Sequence, residues 1–322
     1  MNLPIKQCFT IARLTALDAI RQPVAFLLFA STLLLIALLP LVLAHTLGES
    51  VKFVRDGSLG FMFVAGLIFS AHIACACLAS EVRHGTVSVV LSKPVARMTF
   101  FLGKFAGIAT VLLLFAGGII MAVMVSVRTA FDAYITDWWS AAPLLLACVG
   151  AFLVGGFCNY VLRRPFVSNA FIALLVLLAL AFLFAGFLDQ QGRFMAFGAL
   201  YDFRILAAGA LITFAILMLA GLSLALATRL SVIPTLSICG GIFLLGLLSD
   251  YYFGRHADTS LAAGTLYYLL PNWQHFWVVD ALSGGGTIPG NYILLTALYA
   301  ALYLAGILVF GVVAFQRMEV KA

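Results

Sequence analysis

Apolar runs of about 20 residues, the length needed to cross a bilayer, recur from one end of the chain to the other. In hydrocarbon every backbone N–H and C=O must be bonded internally, which leaves helices and closed barrels as spanning structures. The runs here are continuous rather than alternating, so they read as helices. Eight are placed, at 24–44, 59–80, 101–126, 141–160, 167–188, 205–228, 232–249 and 292–316. Of the 322 residues, 64% are hydrophobic and only 9% charged, too few charges to coat a soluble particle. The expectation is an all-α polytopic membrane protein, a single domain over 1–322 with about eight transmembrane helices. Pro40 should kink the first span. Span 232–249 is short and carries Pro234 and the pair Gly240-Gly241, which suits a broken or re-entrant helix.

Residues 4–22 precede the first span as an amphipathic elbow helix, opened by Pro4 and closed by Pro23. Ile5, Cys8, Phe9, Ala12, Ala16, Ala19 and Ile20 share one face; Lys6, Thr10, Arg13 and Arg21 share the other, which Leu14 and Leu17 interrupt. Such a helix lies in the headgroup layer with its basic side to water. The run from Val24 is longer than a signal-peptide core and follows a helical segment, so a cleaved leader is not expected. With the N-terminus cytoplasmic, inner segments hold 12 of the 18 Lys and Arg and outer segments hold six. That bias obeys the positive-inside rule and puts both termini in the cytoplasm. Anionic inner-leaflet lipid accounts for the basic balance, and no nucleic-acid partner is needed.

Other constellations are weak. The six cysteines lie in the N-terminal segment and in apolar runs, which makes a disulfide framework improbable. Gly103-Lys104 lacks both the upstream glycine and the following Ser or Thr of a Walker motif, so ATP is not expected to bind this chain by that means. His72 and Cys75 stand one helical turn apart, but no carboxylate is near, and packing between helices is the better reading than a metal site. Lys104 is expected to snorkel to the cytoplasmic surface. The scarcity of ionisable groups inside spans argues against an ion-coupled transporter and against a membrane hydrolase. Gly103-xxx-Gly107 would allow close helix approach. Hairpins 144–177 and 211–245 repeat one pattern, an apolar run, a short basic turn and a second apolar run. The outer loop 250–291 is dense in aromatics, read as interfacial anchors, and 272–282 suits a short helix lying on the outer surface.

The most polar interval between runs is EVRHGTVSVVLSKPVAR, 81–97. Gly85 breaks a helix continuing from the second span, and Thr86 suits the cap of a new short one. Pro94 forces Lys93 out of helical geometry. The β-branched run Thr86–Ser92 alternates and by propensity suits a strand instead.

Glu81-x-x-x-Gly85-Thr86, Leu91-x-x-Pro94-Val95-x-Arg97 and Gly103-Lys104 resemble the first cytoplasmic loop of ABC-2 type permeases, the membrane subunits of ATP-binding-cassette exporters. The elbow helix and an outer Leu270-Pro271-Asn272 match as well. The family core has six spans where eight are counted here; one extra hairpin, 141–188, leaves the topology unchanged. The resemblance implies a cytoplasmic coupling helix at about 86–92, within a loop of 81–99, that docks on a separate ATPase subunit. Gly85 and Thr86 would set the turn into it, and Val89, Val90 and Leu91 would supply apolar contact. Glu81 and Arg83 would pair with the ATPase or the elbow, while Lys93, Pro94 and Arg97 would carry the chain back to the third span. It further implies a second permease copy, as homodimer or heterodimer, with ATP and magnesium bound by the partner subunit and no cofactor in this chain. The setting would be a bacterial inner membrane, and the role that of a transport subunit rather than an enzyme. Two other readings are a channel or secondary transporter outside this family, and an anchoring or assembly subunit with no pathway.

Overall fold

The computed structural model describes residues 3–43, 49–79, 95–131, 136–256 and 260–317. Among them the secondary structure is helical, apart from one isolated bridge between Leu188 and Phe194. In chain order the helices are α1 Leu3–Ile20, α2 Pro23–Val42, α3 Ser50–Ala74, α4 Arg97–Thr129, α5 Trp138–Tyr160, α6 Phe166–Gly186 and α7 Ile205–Ala227. They continue with α8 Val232–Leu247, α9 Ser249–Tyr252, α10 Leu261–Leu269 and α11 Gly290–Gln316. Seven are long and apolar enough to cross a membrane, and α8 with the segment after it makes an eighth if that bent pair is one span. The protein is therefore an all-α, multi-pass membrane protein.

The spans fall within a few residues of the apolar runs, with one exception. Helix α3 begins at Ser50, nine residues ahead of the run that predicts it. Lys52, Arg55 and Asp56 read as loop in the sequence, yet all three sit on the helix. The Arg55 side chain folds onto Asp56 at 3.0 Å and is buried, so its charge does not end the helix. At its other end α3 loosens into a π-helical turn, Cys75–Ala79. Helix α8 runs unbroken through Pro234 and Gly240-Gly241, and the chain bends by 58° only after Leu247, into Ser249–His256.

The chain divides into two compact units, and α1, α3, α4 and α7 contribute to both. One unit comprises 16–69 and 110–209. Its core is a cluster of phenylalanines: Phe29 meets Phe115 at 5.5 Å and Phe171 at 5.4 Å, and Phe69 meets Phe115 at 5.1 Å. Gly118 makes room for the Phe29 ring, whose nearest carbon lies 2.6 Å from where a Cβ would stand. Helices α5 and α6 form a tight antiparallel hairpin, with Gly155 pressed against Ala170. The hairpin turns through Arg163, whose φ of 51° is left-handed, and Asn159 Nδ2 donates to the Arg164 carbonyl at 3.1 Å.

The other unit comprises 1–15, 70–109 and 210–322. Helix α1 is present over Leu3–Ile20, but its packed stripe is turned from the expected apolar face. Thr15 and Ala19 are buried and Cys8 and Ile11 half-buried, whereas Ile5 and Phe9 stay exposed. The turn is set at Gly103, which lies against the Ile11 side chain and the Cys8 carbonyl; a Cβ there would stand 2.9 Å from Ile11. The small residue at 103 thus performs the close approach its spacing suggests. Lys104 does not snorkel: it is buried, with its ammonium 5.5 Å from the Phe100 ring centroid.

The aromatic loop 250–291 corrects the anchoring reading in part. Tyr251, Tyr252 and Tyr268 are exposed as anchors should be, but Trp273 and Phe276 are core residues. In place of one surface helix, 273–285 forms two short 3-10 turns, and Trp273, Phe276, Val279 and Leu282 face inward. Gly246 admits Trp273 beside α8, and the indole N–H donates to the Ile242 carbonyl at 3.3 Å.

Candidate functional site

Of the residues assigned to the coupling loop, Arg97 is described; Glu81, Arg83, Gly85, Thr86, Val89, Val90, Leu91, Lys93 and Pro94 lie outside the described residues, as does the helix expected at 86–92. Arg97 is the first residue of α4. Its Nη1 donates to the Gln316 carbonyl at 2.6 Å, at the last turn of α11. A helix C-terminus leaves carbonyls without intrahelical donors and carries partial negative charge, so a guanidinium there satisfies both deficits. Arg229, in the turn after α7, makes the same kind of bond to the Arg317 carbonyl at 3.4 Å. Below this junction Phe100 stacks on Phe315 at 5.7 Å, and Gly311 admits Phe101 between α4 and α11. The point where the polar loop returns to the membrane is thereby bonded to the end of the last helix. Arg229 and Arg317 are exposed and Arg97 is half-buried, so three guanidinium groups gather at this junction among the described residues.

A second cluster was not legible in the sequence. Arg128, near the end of α4, forms a buried ion pair with Asp137, Nε to Oδ2 at 3.0 Å. Its Nη2 donates to the Leu188 carbonyl at 2.7 Å and its Nη1 to the Ala185 carbonyl at the end of α6. Asp137 also caps α5, accepting from the Ser140 hydroxyl at 2.8 Å and the Ser140 N–H at 3.2 Å. The signal available was Asp137-x-x-Ser140 ahead of an apolar run, an N-cap pattern. Nothing in the sequence linked that cap to Arg128, which reads as one more outer charge. The neighbouring Tyr201 hydroxyl donates to the Phe182 carbonyl at 2.6 Å, and burial pushes the Tyr201 pKa up. At Asp202, burial alone would raise the carboxyl pKa; the hydrogen bonds and charge of Arg204, with Arg55 adding to them, outweigh that and hold it below its ordinary value.

In the other unit Asp250 organises the aromatic loop 250–291. It accepts from the Tyr267 hydroxyl at 3.0 Å and from Asn272 Nδ2 at 2.9 Å, and that hydrogen bond to Asp250 raises the Tyr267 pKa. The Tyr299 hydroxyl accepts from the Asn272 N–H at 2.9 Å, and the Tyr303 hydroxyl donates to the Tyr268 carbonyl at 2.6 Å, so α11 is stitched to the loop. Within α3, His72 buries its Nε2 without a hydrogen-bond partner. Among the described residues no group of three or more His, Cys, Asp or Glu side chains is arranged to hold a metal ion.

No family model matches the sequence, and a comparison with curated proteins finds no match either.

Proposed function

We propose that this chain is the membrane subunit of an ATP-binding-cassette exporter of the ABC-2 type, forming its substrate path as a dimer and driven by a separate ATPase. The observation that carries the reading is the 81–97 run, Glu81-x-x-x-Gly85-Thr86 through Pro94-Val95-x-Arg97. Two structural facts support it. The chain is a multi-pass helical membrane protein, and the last residue of the run is bonded to the end of the last helix. A push on the loop would then reach α4 and α11 together, since Arg97, Phe100 and Phe101 join them. ATP and magnesium belong to the partner in this scheme, in a bacterial inner membrane with both termini of this chain cytoplasmic.

The test is reconstitution. Transport should require ATP and the ATPase subunit, and should be lost on Gly85→Pro or on deletion of 86–92 with the protein still in the membrane. Transport that survives those changes ends the proposal. A channel or secondary transporter is the second reading, and the observation in its favour is Lys104, an ammonium buried within a span. Such groups are costly and usually retained for function. Transport without ATP, driven by an ion gradient and lost in Lys104→Met, would select it.

A further inference from the structure

Around α1, at about 100° per residue, three kinds of surface follow one another. Ile11, Thr15 and Ala19 form the stripe packed on the protein. Next come Cys8, Ala12, Ile5 and Phe9, and after them the basic edge of Lys6 and Arg13. The middle strip is not covered. With α4 it forms a groove of about 420 Å³, lined by Ile5, Phe9 and Ala12 on one side and Met98, Leu102 and Ala106 on the other. The crossing at Gly103 creates it, since helices in contact at Ile11 leave a wedge along that flank. Ile5, Phe9 and Met98 are more than half exposed in the wedge, at 55%, 66% and 54%.

An apolar wedge beside two exposed cations, on the helix that leads into the first span, is shaped for a molecule with a hydrocarbon tail and an anionic head. Lys6 and Arg13 are two turns apart, about 10 Å along the helix, and their side chains are long enough to converge on one phosphate. We propose that the groove seats an acyl chain of an anionic phospholipid from the surrounding leaflet, its phosphate held by Lys6 and Arg13. The site fixes the elbow to the bilayer whichever transport reading holds. Each basic side chain should favour anionic over zwitterionic lipid by roughly fivefold.

The experiment uses the full chain in vesicles with Phe9→Trp as reporter. None of the four natural tryptophans, Trp138, Trp139, Trp273 and Trp277, lines the groove, and their signal is subtracted with the parent protein. Brominated phosphatidylglycerol should half-quench the reporter at a mole fraction at least roughly fivefold below that of brominated phosphatidylcholine. Lys6→Gln/Arg13→Gln should abolish the preference. Ala12→Leu/Ala106→Leu, which fills the groove without touching charge, should lower quenching by both lipids to the level of a general lipid-facing tryptophan. Equal quenching by the two lipids in the parent background overturns the proposal, and so does a preference that survives charge removal. If the filled variant does not insert, native mass spectrometry of the parent and the charge variant decides: retained phosphatidylglycerol on the first and not the second supports the site, and equal retention overturns it.

Discussion

Two arginines in this protein do the same chemical job in opposite settings. Arg128 and Arg97 both place a guanidinium on the carbonyls at a helix C-terminus, Arg128 on α6 and Arg97 on α11. Arg128 is buried, neutralised by Asp137 and bonded to two carbonyls. Arg97 is half-buried, and its bond is to a carbonyl of an exposed residue, Gln316. Removing one partner of a buried pair leaves an uncompensated charge, so the first arrangement is a permanent fastening. The second sits where water can replace the bond, so it can be remade when a partner presses on the loop. The difference separates what holds the bundle from what can signal through it.

The largest break in that comparison is Arg128→Ala. It strands Asp137 and the carbonyls of Ala185 and Leu188, and should cost about 3–5 kcal/mol in a detergent unfolding titration. Arg128→Met/Asp137→Leu should recover part of the loss, because no buried charge remains. Next comes Gly103→Leu, which drives a side chain into Ile11 and the Cys8 backbone. Overpacking of this kind costs about 1–3 kcal/mol and should lift α1 away, read as faster proteolysis or labelling of Cys8. Arg97→Ala and Arg229→Ala should each cost no more than about 1 kcal/mol, the worth of a solvent-accessible hydrogen bond, while impairing ATPase-driven transport. A stability loss as large as that of Arg128→Ala would erase the distinction.

The smallest effect is titration at Asp202. Its folded-state pKa lies below the ordinary 3.8, so its contribution to stability is present above that value and is lost as pH falls through the folded pKa. Asp202→Asn should lower stability near neutrality and flatten the profile below about pH 4, so that the variant and the parent converge in acid, checked by melting temperature against pH.

The spans were legible because the constraint behind them is simple: apolar runs in hydrocarbon must bond their own backbone. The bend after α8 was legible only in part: Pro234 and Gly240-Gly241 point to a break inside 232–249, but the helix runs through them and the chain bends after Leu247. Polar residues were misread wherever burial or a packed partner changes their meaning. Arg55 reads as loop because its contact with Asp56 and its burial are invisible in a string, and Lys104 reads as a snorkelling lysine because Phe100 beneath it carries no charge signal. Trp273 reads as a belt residue, but Gly246, 27 positions earlier, opens a slot for it. At the candidate site the position of Arg97 was readable and its partner was not, since Gln316 lies 219 residues away.

The central claim is that 81–97 receives an ATPase. A photo-reactive amino acid at Val89 or Val90, irradiated in native membranes, tests it most directly. A single crosslinked partner that binds ATP, carries a Walker motif and disappears with Gly85→Pro is the predicted result. Crosslinks to lipid alone, or to a partner that binds no nucleotide, would contradict it.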